Sequence, residues 1–336
     1  MKKRKLILVV LSVLMSTMIW ANDSTRTVVT KEVKQEDASP KGKAIVSVFA
    51  NFNMAMQNGV SKCGFQLDRS YVGYQYKLVN GLELKAVLDI GKPSSVDDYH
   101  YVAYIKNAQV SWKHKGLTLT GGMISTTQFN MQEKFWGYRY IYKSFQDQYK
   151  FGSSADLGLS VAYKFADRVS VDAIMTNGEG YKKIQGDLGF QYGLGLTFTP
   201  VEGLSLRLYG GLNDATEAEK VNVYNYAAFV GYKNKVFSLG GEFAMMQNSG
   251  NVKSRNQLGC SVYGSVKAHK MVDVYARWDM LTSNDGWNAA KDEQAVIAGA
   301  QVKLGKYVKV APNFRMTIPK EGESKYMAYV SCYFGI

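Results

Sequence analysis

From Ala44 to the C-terminus, apolar side chains recur at every second residue, with polar or small ones between them. Along LSLRLYGGL, Leu204, Leu206 and Leu208 alternate with Ser205, Arg207 and Tyr209. Along ADLGLSVAYKF, Leu157, Leu159, Val161, Tyr163 and Phe165 alternate with Asp156, Gly158, Ser160, Ala162 and Lys164. A period of two puts one set on each face of a β-strand. Short turn signals stand at 79–81 (VNG), 114–116 (HKG), 166–167 (AD), 201–203 (VEG), 233–235 (KNK), 268–270 (AHK) and 305–306 (GK); their Asn, Asp and Gly residues adopt turn geometry at little cost. Between them lie longer, more polar connections near 57–60, 91–99, 128–153, 178–184, 214–219, 248–252, 283–292 and 319–324. This rhythm predicts an all-β chain: about 16 antiparallel strands of about 9 to 15 residues closing into a transmembrane barrel.

A soluble sandwich or propeller would also alternate. Two features oppose it. The strands are long, and the face opposite the apolar one carries Arg69, Lys85, Asp172, Arg207, Glu242, Arg277 and Arg315, charges that a compact dry core could not leave unpaired. A water-filled lumen accommodates them. Aromatic residues also gather toward strand ends, as at Tyr74 and Tyr76, Tyr163 and Phe165, and Tyr224 and Tyr226, the pattern of interfacial girdles. The last strand, ESKYMAYVSCYFGI, alternates cleanly with Phe334 near its end. It is placed to close the barrel against the first strand.

Ahead of the alternating region the texture differs. Lys2, Lys3, Arg4 and Lys5 precede an apolar run from Leu6 to about Trp20 that ends at Ala21, the arrangement of a secretory signal peptide over 1–21. The polar stretch 22–43 reads as a flexible exported tail, and the barrel occupies 44–336. Loss of the four leader cations lowers the formal charge from +13 to +9, which weakens any case for a nucleic-acid partner. Composition agrees with ordered β structure: 13% of residues are aromatic and only 21% charged, against the profile of a disordered chain. After the leader there is no run of the about 18 apolar residues that a membrane helix needs.

Candidate catalytic chemistry is sparse. A hydrolytic nucleophile needs a nearby base, and the three histidines, His100, His114 and His269, sit at turns or in a polar loop. HExxH, paired cysteines at zinc spacing and GxxxxGK[ST] are all missing. The chain therefore reads as a non-enzyme without metal or cofactor. Cys260 and Cys332 fall in the outward phase and Cys63 near a rim, leaving a disulfide open but not required. Pro312 interrupts VKVAPNFRM, and a bulge is expected there.

Three segments carry a family likeness: KNAQVSWKHKGLTLTGGMISTTQF from 106, FWGYRYIYKSFQDQYKFGSSADLGLSVAYKF from 135, and VDAIMTNGEGYKK from 171, with RWD at 277–279. Together they resemble porins of Bacteroidetes-type bacteria similar to the phosphate-selective porin O and P family, over most of the chain from about Phe65. The Lys-rich signature of that family after Gly121 and Gly122 is replaced by MISTTQF, so the likeness carries over the porin and not its phosphate selectivity. It implies a homotrimeric diffusion channel in the outer membrane of a Gram-negative bacterium, passing small polar or anionic solutes, with a long third external loop folded inward. That loop, 128–153, contains Lys134, Phe135, Trp136, Tyr138, Arg139, Tyr140 and Lys143, and loops of such length tend to be functional.

In the inward phase, cations modestly exceed carboxylates, which points to weak anion selectivity. Pore-lining or constriction positions are expected at Arg69, Lys85, Lys134, Arg139, Lys143, Arg207, Arg277 and Arg315. Arg69, Arg139, Arg207 and Arg315 are the stronger candidates for touching solute. For Arg277 the competing reading is a wall-stiffening pair with Asp279, two residues away on the same face. The functional alternative is a plugged barrel with a structural role, whose loops bind another outer-membrane or surface component.

Overall fold

The computed structural model describes residues 41–57, 60–92 and 100–336; the expected leader and tail lie outside these residues up to residue 40. Sixteen strands follow one another: β1 (Lys41–Gln57), β2 (Val60–Lys77), β3 (Leu82–Gly91), β4 (Val102–His114), β5 (Leu117–Ser125), β6 (Ala155–Ala166), β7 (Val169–Thr176) and β8 (Gln191–Phe198) come first. Then come β9 (Leu204–Asn213), β10 (Val223–Lys233), β11 (Phe237–Gln247), β12 (Gln257–His269), β13 (Val272–Ser283), β14 (Glu293–Leu304), β15 (Val308–Pro319) and β16 (Lys325–Gly335). Each pairs antiparallel with its chain neighbours, and β1 pairs with β16 from Ser47↔Gly335 to Met56↔Tyr326. The sheet is thus a closed barrel in which every strand has a hydrogen-bonded neighbour on both sides.

The alternation resolves into two faces as the sequence pattern requires. On β9, Arg207 and Tyr209 are buried inside while Leu206 and Leu208 are exposed outside. On β6, Leu157, Leu159, Val161, Tyr163 and Phe165 all point outward. The outer surface is therefore a continuous apolar band suited to hydrocarbon. Aromatic pairs such as Tyr74 with Tyr76 and Tyr163 with Phe165 sit on it beside the short turns. Those turns are tight: at the β2–β3 turn Asn80 and Gly81 have φ of 59° and 79°, and a Cβ on Gly81 would meet the Lys113 carbonyl oxygen at 2.0 Å. Only glycine fits there.

Glycines at 193 and 195 clear space for neighbours inside the barrel. A Cβ on Gly195 would meet Arg207 Nη2 at 2.3 Å, and one on Gly193 would meet the Tyr209 hydroxyl at 2.1 Å. The bulge expected at Pro312 is not there. Pro312 pairs with Val330 of β16 in unbroken register, and on the β14 side the ladder omits Ala311 and Pro312 but resumes in the same register at Val310↔Val302. Proline lacks only the one donor, so a gap in one ladder suffices. Real register shifts occur at Phe49/Ala50, Val87/Leu88, Lys164/Ala166 and Lys267/His269. Cys63, Cys260 and Cys332 are free thiols.

The connection from β5 to β6, residues 126–154, folds into the barrel. It carries two short helices, α1 (Asn130–Trp136) and α2 (Phe145–Gln148). Its aromatic residues meet inward residues of distant strands: Trp136 lies 5.5 Å from Tyr263 and Tyr138 lies 4.6 Å from Tyr275 between ring centroids, while Tyr140 packs on Phe49 and Tyr333. A second cluster joins Phe145, Tyr149 and Phe151 to Tyr209, Ala227, Ala244 and Leu281. The packed interior therefore lies between this loop and the wall from β9 round to β1. Inward residues on β4 to β7, such as Gln109, Thr118, Thr120, Ser160 and Lys164, keep contact with water instead.

The phase assignment predicts opposite outcomes for one substitution on two faces. Leu208→Arg, facing outward at mid-strand, should cost about 2–4 kcal/mol of barrel stability in lipid vesicles, whereas inward Ser160→Arg should cost far less. Equilibrium refolding into vesicles measures both, and equal losses would contradict the assignment.

Candidate functional site

The inward loop is built around Arg139. After α1, Gly137 takes φ 72° and its amide donates to the Glu133 carbonyl, ending the helix in a left-handed cap. The chain then turns so that Arg139 Nη1 donates to Glu133 Oε2 and to Asp147 Oδ2, each at 2.6 Å, while Nη2 reaches the Tyr71 hydroxyl on β2 at 3.3 Å. Burial works against this charge, yet Tyr71, Glu133 and Asp147 more than offset it and hold the guanidinium above its ordinary value. Burial likewise acts to raise the Asp147 carboxyl, and Arg139 and Lys143 together keep it below the usual carboxylate range.

Three arginines of the wall grip the loop backbone. Arg277 on β13 makes a bidentate pair with Asp279 at 2.7 and 2.6 Å and donates from Nη1 to the Lys143 carbonyl at 2.7 Å, with its plane beside Trp136 and Tyr142. Arg315 on β15 donates to the Ile141 carbonyl at 2.7 Å and stacks 3.6 Å from the Tyr329 ring centroid. Arg207 on β9 pairs bidentately with Asp172 on β7 and donates to the Thr127 carbonyl at 2.8 Å. Planar forks with several donors suit this double duty of carboxylate and carbonyl. Arg207 and Arg277 are only 5% and 2% exposed. The expectation that Arg207 and Arg315 reach solute thus meets a different arrangement, in which both hold the loop. The pairing weighed for Arg277 with Asp279 is present.

The other expected residues lie on β2, on β3 and in the loop itself. Arg69 on β2 pairs with Asp89 at 3.1 Å and donates to the Tyr71 hydroxyl at 2.9 Å. Tyr71 is therefore the hub of three cations, since Lys106 Nζ also lies 5.5 Å from its ring. Lys106 further donates to Ser154 Oγ at 2.7 Å and lies 4.7 Å from the Tyr181 ring; Tyr181 in turn donates its hydroxyl to Asp89. Burial pushes the Tyr181 phenol up, which keeps it a donor at neutral pH. Lys182 stands over Tyr104 at 4.5 Å, and burial together with Arg69 pushes its ammonium down. Lys143 shares this neighbourhood; burial, with Arg69 and Arg139, lowers it against the pull of Asp147. Of the remaining two, Lys85 is half-buried on β3 and Lys134 is exposed on α1. Around Tyr71, then, five basic side chains (Arg69, Lys106, Arg139, Lys143, Lys182) meet three carboxylates (Asp89, Glu133, Asp147).

Next to this cluster, β4 and β5 present neutral polar groups joined in a chain. Asn107 donates to Gln109 and Ser125, Gln109 donates to Ser111, and Ser111 pairs with Thr120 at 3.1 Å. Sequence reasoning passed over Lys106, Lys182, Tyr71 and Tyr181. Lys106 occupies the register shift where Val87↔Asn107 gives way to Leu88↔Ile105. By strict alternation from Asn107 it points outward; the bulge turns it in. Lys182 and Tyr181 stand in a loop where no period assigns a direction. Among the described residues, no group of three His, Cys, Asp or Glu side chains is arranged to hold a metal ion.

No protein-family model matches this sequence, and no curated protein matches it. Solved structures do resemble it. OmpF of Salmonella typhi, in complex with daunomycin, superimposes with a TM-score of 0.69 at 11% identity, covering 88% of this chain and 97% of that one. An anion-selective porin from Comamonas acidovorans gives 0.66 at 13% identity over 89% of this chain and all of that one. The trimer form of OmpT from Vibrio cholerae gives 0.63 at 16% identity, covering 89% and 100%. The shared property is the fold, a closed antiparallel barrel of 16 strands.

The Arg277 contacts yield a direct test. Arg277→Met leaves the Asp279 carboxylate buried and unpaired, so it should cost about 3–5 kcal/mol, while pairing it with Asp279→Leu should recover most of that loss. Guanidinium unfolding of the three proteins in vesicles measures this. A harmless single substitution would contradict the clamp.

Proposed function

We propose that the chain is an outer-membrane porin: a passive conduit for small hydrophilic solutes, narrowed by the loop 126–154 and weakly selective for anions. The observation that carries this reading is the asymmetry of the interior. The loop is packed against one half of the wall, and the other half bears neutral amides and hydroxyls beside a cluster in which cations outnumber carboxylates. A solute crossing there exchanges water for these groups without chemistry.

In this reading Arg69, Lys85, Lys134, Arg139 and Lys143 set the potential that a solute meets, joined by Lys182. Arg207, Arg277 and Arg315 act one step back, by holding the loop. The interleaved carboxylates Asp89, Glu133 and Asp147 limit the field, so small anions, phosphate among them, are favoured without a dedicated phosphate path. The anion-selective relative in fold supports the sign of this preference, and the trimeric one supports a homotrimer. The leader at 1–21, removed to leave a mature chain from about Asn22, accounts for export to a Gram-negative outer membrane.

Single-channel recording on refolded protein in planar bilayers tests the reading. The expected result is discrete current steps whose conductance rises when residues 131–147 are deleted. Unchanged conductance with an intact barrel would remove the loop as the constriction. A folded wild-type protein that never conducts would favour the plugged structural barrel.

A further inference from the structure

The connection from β7 to β8, residues 177–190, also turns inward. Its base is fastened to β6, where the Asn177 amide donates to the Leu157 carbonyl at 3.0 Å and the Gly178 amide to Asp156 Oδ2 at 2.7 Å. Gly178 and Gly180, with φ of 107° and 80°, then swing the chain across β6, and the Tyr181 amide donates to the Ala155 carbonyl at 3.0 Å. At Gly180 the backbone passes so close to the end of the loop 126–154 that a Cβ would run into Ser153 Oγ. Glycine alone allows both the positive φ and that approach.

From there the Tyr181 side chain reaches strands that do not adjoin β7. Its hydroxyl donates to Asp89 on β3, its ring meets that of Tyr104 on β4 edge-on at 6.4 Å, and Lys106 Nζ on β4 lies 4.7 Å from it. β3 is the fourth strand from β7, and at about 4.8 Å per strand that is roughly 19 Å round the wall. The remainder of the connection closes on itself: Glu179 Oε1 accepts from the Gly186 amide at 3.2 Å, and Gln185 donates to the Gly189 carbonyl at 3.1 Å. Asp89 also joins this segment to the inward loop, for it pairs with Arg69, Arg69 donates to the Tyr71 hydroxyl, and Arg139 of the loop donates to that same hydroxyl. Two connections, one from β5 and one from β7, thus end on one set of side chains on β2 and β3.

We propose that residues 177–190 form a second constriction of the conduit, a strap pinned by Tyr181 on Asp89 that fixes the size of solute admitted along the wall of β4 to β6. Tyr181 is its positioning residue. A hydrogen bond to a charged acceptor is stronger than a neutral one, and the ring contacts with Tyr104 and Lys106 hold the phenol over the strands that the strap must cross. A solute moving down that wall passes the strap on one side and the inward loop on the other. The proposal rests on the reading of the lumen as a watered conduit.

Swelling of liposomes that carry the refolded full chain tests this, with arabinose and the larger raffinose as osmolytes. Wild type should admit arabinose and nearly exclude raffinose. Tyr181→Ala, in a connection outside the strand ladder, removes both hydroxyl and ring and should raise the raffinose rate relative to arabinose by about tenfold, the scale of one hydrogen bond to a charged group. Tyr181→Phe keeps the ring beside Tyr104 and Lys106 and should give a smaller rise. Hydrogen exchange at the Asn177, Gly178 and Tyr181 amides reports whether the strap is docked: slow in wild type, faster in Tyr181→Ala. Fast exchange there in wild type overturns the proposal. So does a Tyr181→Ala protein with the wild-type ratio of the two sugars, whether or not its strap amides have loosened. If wild type admits neither sugar, the open-conduit reading fails, and the strap stands only if Tyr181→Ala then admits arabinose.

Discussion

Three guanidinium groups on the barrel wall donate to backbone carbonyls of a single loop, and the shape of the interior follows from those bonds. A loop that leaves the rim and enters a barrel takes its own peptide groups away from bulk water, and each needs a partner there. Arg207, Arg277 and Arg315 supply partners to Thr127, Lys143 and Ile141 from three separate strands. Two of the three are themselves fixed by bidentate carboxylates on the wall, Asp172 and Asp279, so the donors cannot swing away without breaking an ion pair. Aromatic packing of Trp136, Tyr138, Tyr140 and Phe145 against the same half of the barrel adds apolar burial to these directional contacts.

Because the loop is held against β9 to β1, the opposite wall is left to water. Its character is decided by what β2 to β7 present inward. The upper part gathers cations around Tyr71; the middle offers the linked side chains of Asn107, Gln109, Ser111 and Thr120. Arg139 belongs to both halves: it ties the loop to itself through Glu133 and Asp147 and bonds the loop to Tyr71 across the gap.

Much of this was legible in the residues. Strict alternation along β6, β9 and β16 assigned both faces, and the contrast of short and long connections led to a closed barrel of about 16 strands. The third loop declared itself by length and by its aromatic and cationic content. Three things were hidden. A bulge shifts the phase at Lys106, and no residue type there announces it. Pro312 reads as a ladder defect, yet the sheet absorbs it with a gap and no shift. The roles of Arg207 and Arg315 depend on which carbonyls of a distant loop come within reach, and those are 80 and 174 residues away in sequence. Alternation says which way a side chain points and nothing about what arrives to meet it. The glycines at 193 and 195 belong to the same class, for their purpose is the space that Tyr209 and Arg207 occupy.

Hydrogen exchange on the refolded wild-type protein in lipid, read by mass spectrometry, tests the clamped loop most directly. The amides of Glu133, Gly137, Tyr142, Gln148, Tyr149 and Phe151 are all donors to loop carbonyls inside the barrel. If the loop is clamped, they exchange as slowly as the central amides of β12 and β13. Exchange at the rate of an unprotected chain would show a loop that leaves the lumen freely, and would contradict the account.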